Sequence, residues 1–173
     1  YEIIALAPSS VQEGFDLTVK AFNLAERFRV PTMILSDEIV SHTREKLRIS
    51  PHYQVVDRRA PQTPPGKYKT YEPLSTGLLD GMPKFGQGYN ILVDGQLHDE
   101  EGNRAGSNPE ISKKLLLRLI SKIQDHEEEI RDVDSYYTDD ADILIVAYGS
   151  VARPAQYVVN KSRENGKKVG LIK

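Results

Sequence analysis

The stretch "DADILIVAYGSVARPAQYVV", residues 140–159, carries the pattern that decides the fold. Its apolar run at 143–147 is typical of a strand buried on both faces, and Gly149 with Ser150 marks a turn. The residues from about 151 to 164 then predict a helix, and "KVGLI" predicts a further strand. Strand, helix and strand in this order indicate a βαβ unit, in which the two strands are parallel and the crossover is right-handed.

The amino-terminal residues repeat this pattern. "IIALA" at 3–7 and "TMILSD" at 32–37 are typical of buried strands. An amphipathic helix is predicted between them, because Val11, Phe15, Val19, Phe22 and Ala25 recur every three or four residues. Ser10 and Glu13 have the spacing of a capping box at its start, and "EIVSHTREKL" at 38–47 predicts the beginning of another helix. The predicted fold class is therefore α/β, built from parallel-sheet βαβ units.

The middle of the chain differs in composition. Residues 48–108 hold six of the ten prolines and eight of the twelve glycines, so no long helical period survives there. This region is either a connector or a surface that becomes ordered against a partner, and its aromatic and basic residues slightly favour a partner. They are Tyr53, Arg58, Arg59, Tyr68, Tyr71 and Tyr89. "YNILVDG" at 89–95 could form a strand, and a helix at about 109–130 is predicted to begin after Asn108 as N-cap.

Composition excludes several classes of function. A net charge of -2 and a pI of about 6.1 give no electrostatic indication of binding to nucleic acid or an anionic membrane, and the apolar runs are too short to cross a bilayer. The absence of cysteine excludes disulfides and thiolate-bound zinc or iron–sulfur clusters within this stretch, and it suits a cytoplasmic protein. Because the chain opens at Tyr1 inside a strand-like run, we expect a fragment of a longer protein.

Most catalytic and metal motifs are missing. No P-loop or nucleophile elbow occurs, and Gly86 and Gly88 lack the third glycine and the helix of a dinucleotide fingerprint. The four histidines have no metal-ligand spacing, so no metal site is expected. His98 precedes three carboxylates in "HDEEGN", where a solvated acidic turn is favoured over a cation site.

Two short segments remain as candidate sites. Asp37 and Glu38 follow a predicted parallel strand, at the edge where open α/β sheets bind ligands, although Ser36 or Asp37 could equally cap the next helix. Gly149 and Ser150 precede a helix, whose amides together with Arg153 would favour an anion. The alternative, that glycine relieves the turn and Ser150 caps the helix, is favoured over the anion site.

Four segments together resemble a known family. They are "EIIALAPSSVQEGFDLTVKAFNLAERFRVPTMILSDE", "GLLDGMPKFGQGY", "GQLHDEEGN" and "DADILIVAYGSVAR". In this order and at these spacings they resemble the alpha subunit of 2-oxoacid:ferredoxin oxidoreductases, and the 2-oxoglutarate type in particular.

The resemblance implies a domain plan. Residues 1–47 would be the carboxyl-terminal part of a pyrimidine-type thiamine-diphosphate domain. Residues 48–138 would form a long connector that contains the helix at about 109–130, and residues 139–173 would begin a domain like the transketolase carboxyl-terminal domain. The catalytic residues, including the glutamate that contacts the aminopyrimidine ring, would lie upstream of Tyr1, so this stretch alone would be inactive.

The resemblance also implies an activity and its partners. Such enzymes decarboxylate a 2-oxo acid oxidatively on thiamine diphosphate, pass electrons to ferredoxin and form an acyl-CoA. A beta subunit would share thiamine diphosphate and Mg²⁺ with this chain and hold the iron–sulfur clusters, and further small subunits could join. Coenzyme A would be a co-substrate, with a contact near Gly149, Ser150 and Arg153.

Two alternatives stay open at this point. One is another thiamine-dependent enzyme with the same two domains, such as the beta-type subunit of a 2-oxoacid dehydrogenase or a transketolase-like protein. The other is a non-catalytic α/β assembly module.

Overall fold

The computed structural model describes residues 2–173 and has mixed α/β architecture with parallel strands. The chain divides into two compact units whose segments alternate along the sequence. The first unit comprises residues 2–3, 23–30 and 56–130, and the second comprises residues 4–22, 31–55 and 131–173. The α/β class predicted from the sequence is confirmed.

The first predicted βαβ unit is present. Strand β1 (Ile4–Leu6) is followed by helix α1 (Val11–Phe28) and strand β2 (Thr32–Ile34), and the two strands pair in parallel with Ile4 opposite Thr32. Residues 11–22 of α1 belong to the second unit, and the rest of the helix to the first. A short helix, α2 (Glu38–His42), follows β2.

The second βαβ unit is also present, with one strand more than the sequence predicts. Strand β4 (Ile143–Val146) leads through a 3-10 turn at Gly149–Val151 into helix α5 (Ala152–Glu164) and the parallel strand β5 (Val169–Ile172). The additional strand β3 (Ser135–Tyr136) pairs antiparallel with β5, which gives the order β3–β5–β4. The sheet and α5 bury a small apolar core of Ala147, Ala152, Val159, Val169 and Leu171.

The start of α1 contains half of the predicted capping box. The Ser10 hydroxyl accepts a hydrogen bond from the Glu13 amide at 3.1 Å, as predicted. The Glu13 carboxylate, however, accepts from the amide and hydroxyl of the buried Ser9, both at 2.8 Å, and from Lys173 Nζ at 2.6 Å. Burial lowers the pKa of Lys173, but its hydrogen bonds to Glu13 and Asp134 outweigh burial and raise that pKa to about 12.

The apolar face predicted for α1 is wrong in part. Phe22 is 71 % exposed, whereas the buried residues of the helix are Ala21, Leu24 and Phe28. The predicted stripe and the buried stripe are neighbouring rows of the same helix surface. Phe28, which is 1 % exposed, packs edge-on against His126 in the first unit, with ring centroids 5.3 Å apart.

The first unit contains helices and irregular chain. The helix predicted at about 109–130 is observed as two helices, α3 (Pro109–Gln124) and α4 (Glu127–Ile130), and Asn108 caps α3 as predicted. A 3-10 turn covers Pro65–Lys67. Residues 89–95 form no strand, so that prediction is wrong, and "HDEEGN" forms a turn in which Asp99 Oδ1 accepts from the amides of Gly102 and Asn103.

Tyrosine hydroxyls tie the irregular chain of the first unit together. They donate to backbone carbonyls within the unit: Tyr68 to Gly81 at 2.7 Å, Tyr71 to Leu92 at 2.8 Å and Tyr89 to Thr63 at 2.9 Å. The rings of Tyr68 and Tyr89 also pack edge to face at 5.1 Å. These hydroxyls are therefore satisfied within the unit, and their hydrogen bonds help to order its irregular chain.

No helix within residues 2–173 is long and apolar enough to cross a membrane.

Candidate functional site

The candidate site is a corner of the second unit where two strand-to-helix turns meet. Asp37, which follows β2, is the N-cap of α2 and accepts through Oδ1 from the Val40 amide at 2.9 Å. Its other oxygen, Oδ2, accepts from the Ser150 amide at 2.6 Å. These hydrogen bonds, first that from Val40 and then that from Ser150, hold the pKa of Asp37 below its ordinary value. One carboxylate therefore binds the backbone at both turns.

Gly149 fits this corner for two reasons. Its φ is +63°, a left-handed conformation that residues with a Cβ rarely adopt. A Cβ placed there would also lie 2.8 Å from Asp37 Oδ2, which is closer than such atoms approach one another. The glycine is buried, and its conformation directs the Ser150 amide at the Asp37 carboxylate.

Arg153 lies in the first turn of α5 and is paired within the same unit. Its Nη1 donates to Glu45 Oε1, and this contact is the main cause of the lowered pKa of Glu45. Glu45 Oε2 also accepts from the Val11 amide at 3.3 Å. The Arg153 side chain remains 58 % exposed, so only part of the guanidinium is engaged.

A cavity of about 460 Å³ opens beside these groups. It is lined by Ser9, Ser10, Val11, Ile39, Val40, Thr43, Glu45, Ser150, Arg153, Pro154 and Tyr157. All of these residues belong to the second unit. The first turns of two helices contribute to this lining, α1 with Val11 and α5 with Arg153 and Pro154.

The structure brings together some of the predicted site residues and leaves others apart. Asp37, Gly149 and Ser150 are in direct contact, and Arg153 lines the same cavity as Ser150. Glu38 is exposed in the first turn of α2, and within residues 2–173 no hydrogen bond or ion pair involves its side chain. Of the two residues proposed as the cap of α2, Asp37 is the cap and Ser36 is not.

The prediction that Ser150 caps the following helix is wrong. The 3-10 turn at Gly149–Val151 precedes α5, whose N-cap position is Val151 and has no side-chain hydrogen bond. Ser150 is held instead through its backbone amide, which donates to Asp37. The carboxylate of Asp37 thus binds an amide of the turn that the sequence offered as a candidate anion site.

Sequence reasoning missed Glu45 and a group of basic residues in the first unit. Glu45 lies in "EIVSHTREKL", which the sequence assigns to a helix, whereas α2 ends at His42 and residues 43–47 are irregular. In the first unit, Arg118 and Lys122 lie four residues apart on α3 beside its apolar stripe. Like charges at this spacing destabilise a helix slightly, which is a signal for a role outside helix formation.

Residues 2–173 contain no group of three histidine, cysteine or carboxylate side chains that could hold a metal ion.

Two family models match the chain in succession. Residues 1–116 match the model described as pyruvate flavodoxin/ferredoxin oxidoreductase, thiamine-diphosphate-binding. Residues 141–173 match the model described as pyruvate:ferredoxin oxidoreductase core domain II.

Several curated proteins are similar over the whole chain. The identity is 48 % over 173 residues to the 2-oxoglutarate synthase subunit KorA of Methanothermobacter marburgensis, and 43 % to that of Methanocaldococcus jannaschii. It is 32 % over 176 residues to the ketoisovalerate oxidoreductase subunit VorB of Methanothermobacter thermautotrophicus. The alignments cover 100 % of this chain but 46 %, 46 % and 42 % of these relatives, so the chain spans about half their length.

A solved structure shares the fold. The 2-oxoglutarate:ferredoxin oxidoreductase from Magnetococcus marinus, determined with 2-oxoglutarate, coenzyme A and succinyl-CoA bound, superimposes with a TM-score of 0.82. The match covers 98 % of this chain and 30 % of that chain at 19 % sequence identity.

Proposed function

We propose a function from one premise: the chain belongs to the thiamine-diphosphate-binding family of pyruvate flavodoxin/ferredoxin oxidoreductases. The protein that contains it would be the alpha-type subunit of a 2-oxoacid:ferredoxin oxidoreductase. The whole enzyme would decarboxylate a 2-oxo acid oxidatively, form an acyl-CoA and pass electrons to ferredoxin. The observation that carries this proposal is the similarity along all 173 residues to named 2-oxoglutarate synthase subunits.

The favoured substrate is 2-oxoglutarate. Identity to three 2-oxoglutarate synthase subunits is 43–48 %, and to a fourth it is 32 %, equal to the 32 % found for the ketoisovalerate oxidoreductase subunit. The three higher values support the dicarboxylic substrate over the branched-chain one.

The domain plan inferred from the sequence is retained as part of the proposal. Residues 1–47 would be the carboxyl-terminal part of the pyrimidine-type domain, and residues 139–173 would be the start of the transketolase-like domain. Residues 48–138 would form the connector between them. The catalytic residues would lie outside this stretch. Asp37 and Glu38 would be contacts at the ends of strands, Asp37 through the corner that it shares with Ser150.

Cofactors and partners follow from the same premise. Thiamine diphosphate supplies the carbanion chemistry of decarboxylation, and Mg²⁺ would bind its diphosphate with residues of a beta subunit. That subunit would also carry the iron–sulfur clusters, which suits a chain without cysteine. Ferredoxin would accept the electrons, further small subunits could join, and the complex would work in the cytoplasm without nucleic acid or membrane.

Reconstitution tests this function. The full-length protein is produced with its beta subunit, and ferredoxin reduction is followed with 2-oxoglutarate, pyruvate or 3-methyl-2-oxobutanoate in the presence of coenzyme A. We expect thiamine- and CoA-dependent ferredoxin reduction that is fastest with 2-oxoglutarate. Reduction of a lipoyl domain instead of ferredoxin would favour the dehydrogenase or transketolase-like alternative. The absence of any thiamine-dependent activity in the complete complex would favour the non-catalytic assembly module.

We further propose that coenzyme A contacts the corner formed by Gly149, Ser150 and Arg153. Arg153 fits an anion, because a guanidinium has five N–H donors and Glu45 engages it through a single nitrogen. The Ser150 amide is already bound by Asp37, so Gly149 and Ser150 would shape the floor of the site, and Arg153 would supply the charge.

The Arg153→Ala substitution tests this contact in the assembled enzyme. Loss of a charge-assisted hydrogen bond of about 1.5–3 kcal/mol predicts a rise of roughly 10- to 100-fold in the KM for coenzyme A. The KM for the 2-oxo acid should stay constant. Lys161→Ala is the matched control, since Lys161 lies on the same helix, is exposed and forms a salt bridge with Glu164. An unchanged KM for coenzyme A in Arg153→Ala would contradict the contact.

A further inference from the structure

The first unit contains a second cavity, of about 520 Å³, that the proposed function does not use. Part of its wall is apolar and comes from the irregular chain and from α3. The apolar lining includes Leu79, Met82, Ile91, Val93, Leu115 and Leu119. Against this wall lie Tyr71 and His98, whose rings stack with centroids 5.1 Å apart.

Four cations line the same cavity: Arg29, Arg58, Arg118 and Lys122. Lys122 is the most enclosed, with a relative exposure of only 4 %. Arg118 Nη1 makes a long hydrogen bond of 3.4 Å to the carbonyl of Gly77. The cavity therefore has a concentrated positive charge that is partly removed from water.

The carboxylates in the lining are committed to other partners. Glu26 binds Arg58 through both oxygens, at 2.9 and 3.1 Å. Asp94 accepts from Arg104 at 2.7 Å, and its other oxygen lies 3.1 Å from His98 Nε2 without hydrogen-bond geometry.

Three cations thus remain without a carboxylate partner. Within residues 2–173 no carboxylate forms a salt bridge with Arg29, Arg118 or Lys122. Burial, followed by repulsion from Arg118 and Arg29, lowers the pKa of Lys122 to about 8, and burial lowers the pKa of both arginines. Enclosed like charges oppose folding unless an anion compensates them.

The backbone at Arg29 supports a role for its side chain. Arg29 follows the last residue of α1 and has a φ of 48°, in the left-handed region. Helices that end this way generally place glycine at the position, because a side chain is strained there. An arginine at such a position, with its side chain in the cavity lining, is explained if the cavity requires its charge.

We propose that this cavity binds an organic anion, a carboxylate or a phosphate ester. Arg29, Arg118 and Lys122 would hold the anionic group, and the body of the ligand would pack against the apolar wall. This site lies beyond the proposed function, because it involves none of the residues assigned to coenzyme A.

Binding of phenyl phosphate, benzoate and inorganic phosphate to the full-length protein, assembled with its beta subunit, tests the proposal. Calorimetry and thermal melting are compared for the wild type, Lys122→Met and Lys113→Met. Lys113 is the matched control, because it is an exposed lysine on the same helix. Methionine preserves the length of the lysine stem and removes the charge.

We expect phenyl phosphate or benzoate to bind the wild type and Lys113→Met equally, and to bind Lys122→Met at least about tenfold more weakly. Whichever organic probe binds identifies the anionic group, and tighter binding than inorganic phosphate would assign a role to the apolar wall. Arg118→Met should show the same loss of binding. It replaces Lys122→Met as the test variant if Lys122→Met does not assemble with the beta subunit. Equal binding to the wild type and Lys122→Met, or no organic probe bound by the wild type, would overturn the proposal. Neither result depends on the KM for coenzyme A, so the proposed anion site and the proposed coenzyme A contact can fail independently.

Discussion

Gly149 holds a conformation that no other residue adopts as easily, and the chain offers a matched glycine for comparison. Replacing Gly149 by alanine introduces left-handed strain of about 1–2 kcal/mol, to which the close approach of Asp37 Oδ2 adds. We expect a lower free energy of unfolding and a lower Tm for Gly149→Ala.

Gly14 is the control for that substitution. It lies inside α1, and a Cβ there would meet no atom within 4 Å. Gly14→Ala should therefore raise stability by about 0.5–1 kcal/mol, because alanine has the higher helix propensity. Thermal melting of both variants beside the wild type measures the two shifts. Shifts of the same sign would contradict the explanation given for Gly149.

Asp37 shows which part of the candidate site a sequence can predict. Its role as an N-cap follows from local rules, since aspartate after a strand and before a helix binds a nearby amide. Its second hydrogen bond reaches Ser150, which lies 113 residues further along the chain. No local sequence pattern predicts a contact over that separation. The sequence therefore indicated two candidate sites, one at Asp37 and one at Gly149 and Ser150, which the structure joins in one corner.

At the scale of elements, the stability of helix α3 depends on the residues at its start. The Asn108 side chain accepts from the amides of Glu110 and Ile111 at 3.0 and 3.1 Å, and Pro109 occupies the first helical position. Asn108→Ala should cost about 1 kcal/mol and speed hydrogen exchange of the first-turn amides. Asn108→Asp should retain the protection of these amides against exchange. The carboxylate accepts the same hydrogen bonds, and its negative charge interacts favourably with the helix dipole. Unchanged exchange in Asn108→Ala would show that the cap contributes nothing.

The predicted elements succeeded where they were long or strongly marked. Helices α1, α3 and α5 and the four parallel strands follow from periodicity and from their flanking glycines and prolines. Strand β3 was missed because its two residues are too few for a pattern, and its pairing with β5 is a tertiary contact that no local pattern shows. Phe22 was misassigned because periodicity identifies an apolar stripe but not which neighbouring row becomes buried.

At the scale of the whole molecule, composition indicated an irregular middle region but not what stabilises it. Prolines and glycines mark residues 48–108 as chain without long helices, and the structure agrees. The hydrogen bonds from Tyr68, Tyr71 and Tyr89 to backbone carbonyls depend on tertiary approach, so they could not be predicted. The cations without a carboxylate partner around the second cavity could not be predicted for the same reason, since Arg29 follows α1 whereas Arg118 and Lys122 lie on α3.

The alternation of the two units along the chain has a consequence for biosynthesis. Asp37 leaves the ribosome soon after strands β1 and β2, but Ser150, to which it binds, emerges 113 residues later. At typical elongation rates this interval is roughly 6–23 s, during which the Asp37 carboxylate lacks its partner Ser150. The first unit is complete in sequence at residue 130 and can fold during that wait. A released chain that ends at residue 130 should therefore protect α3 against proteolysis while leaving strands β1 and β2 open to cleavage.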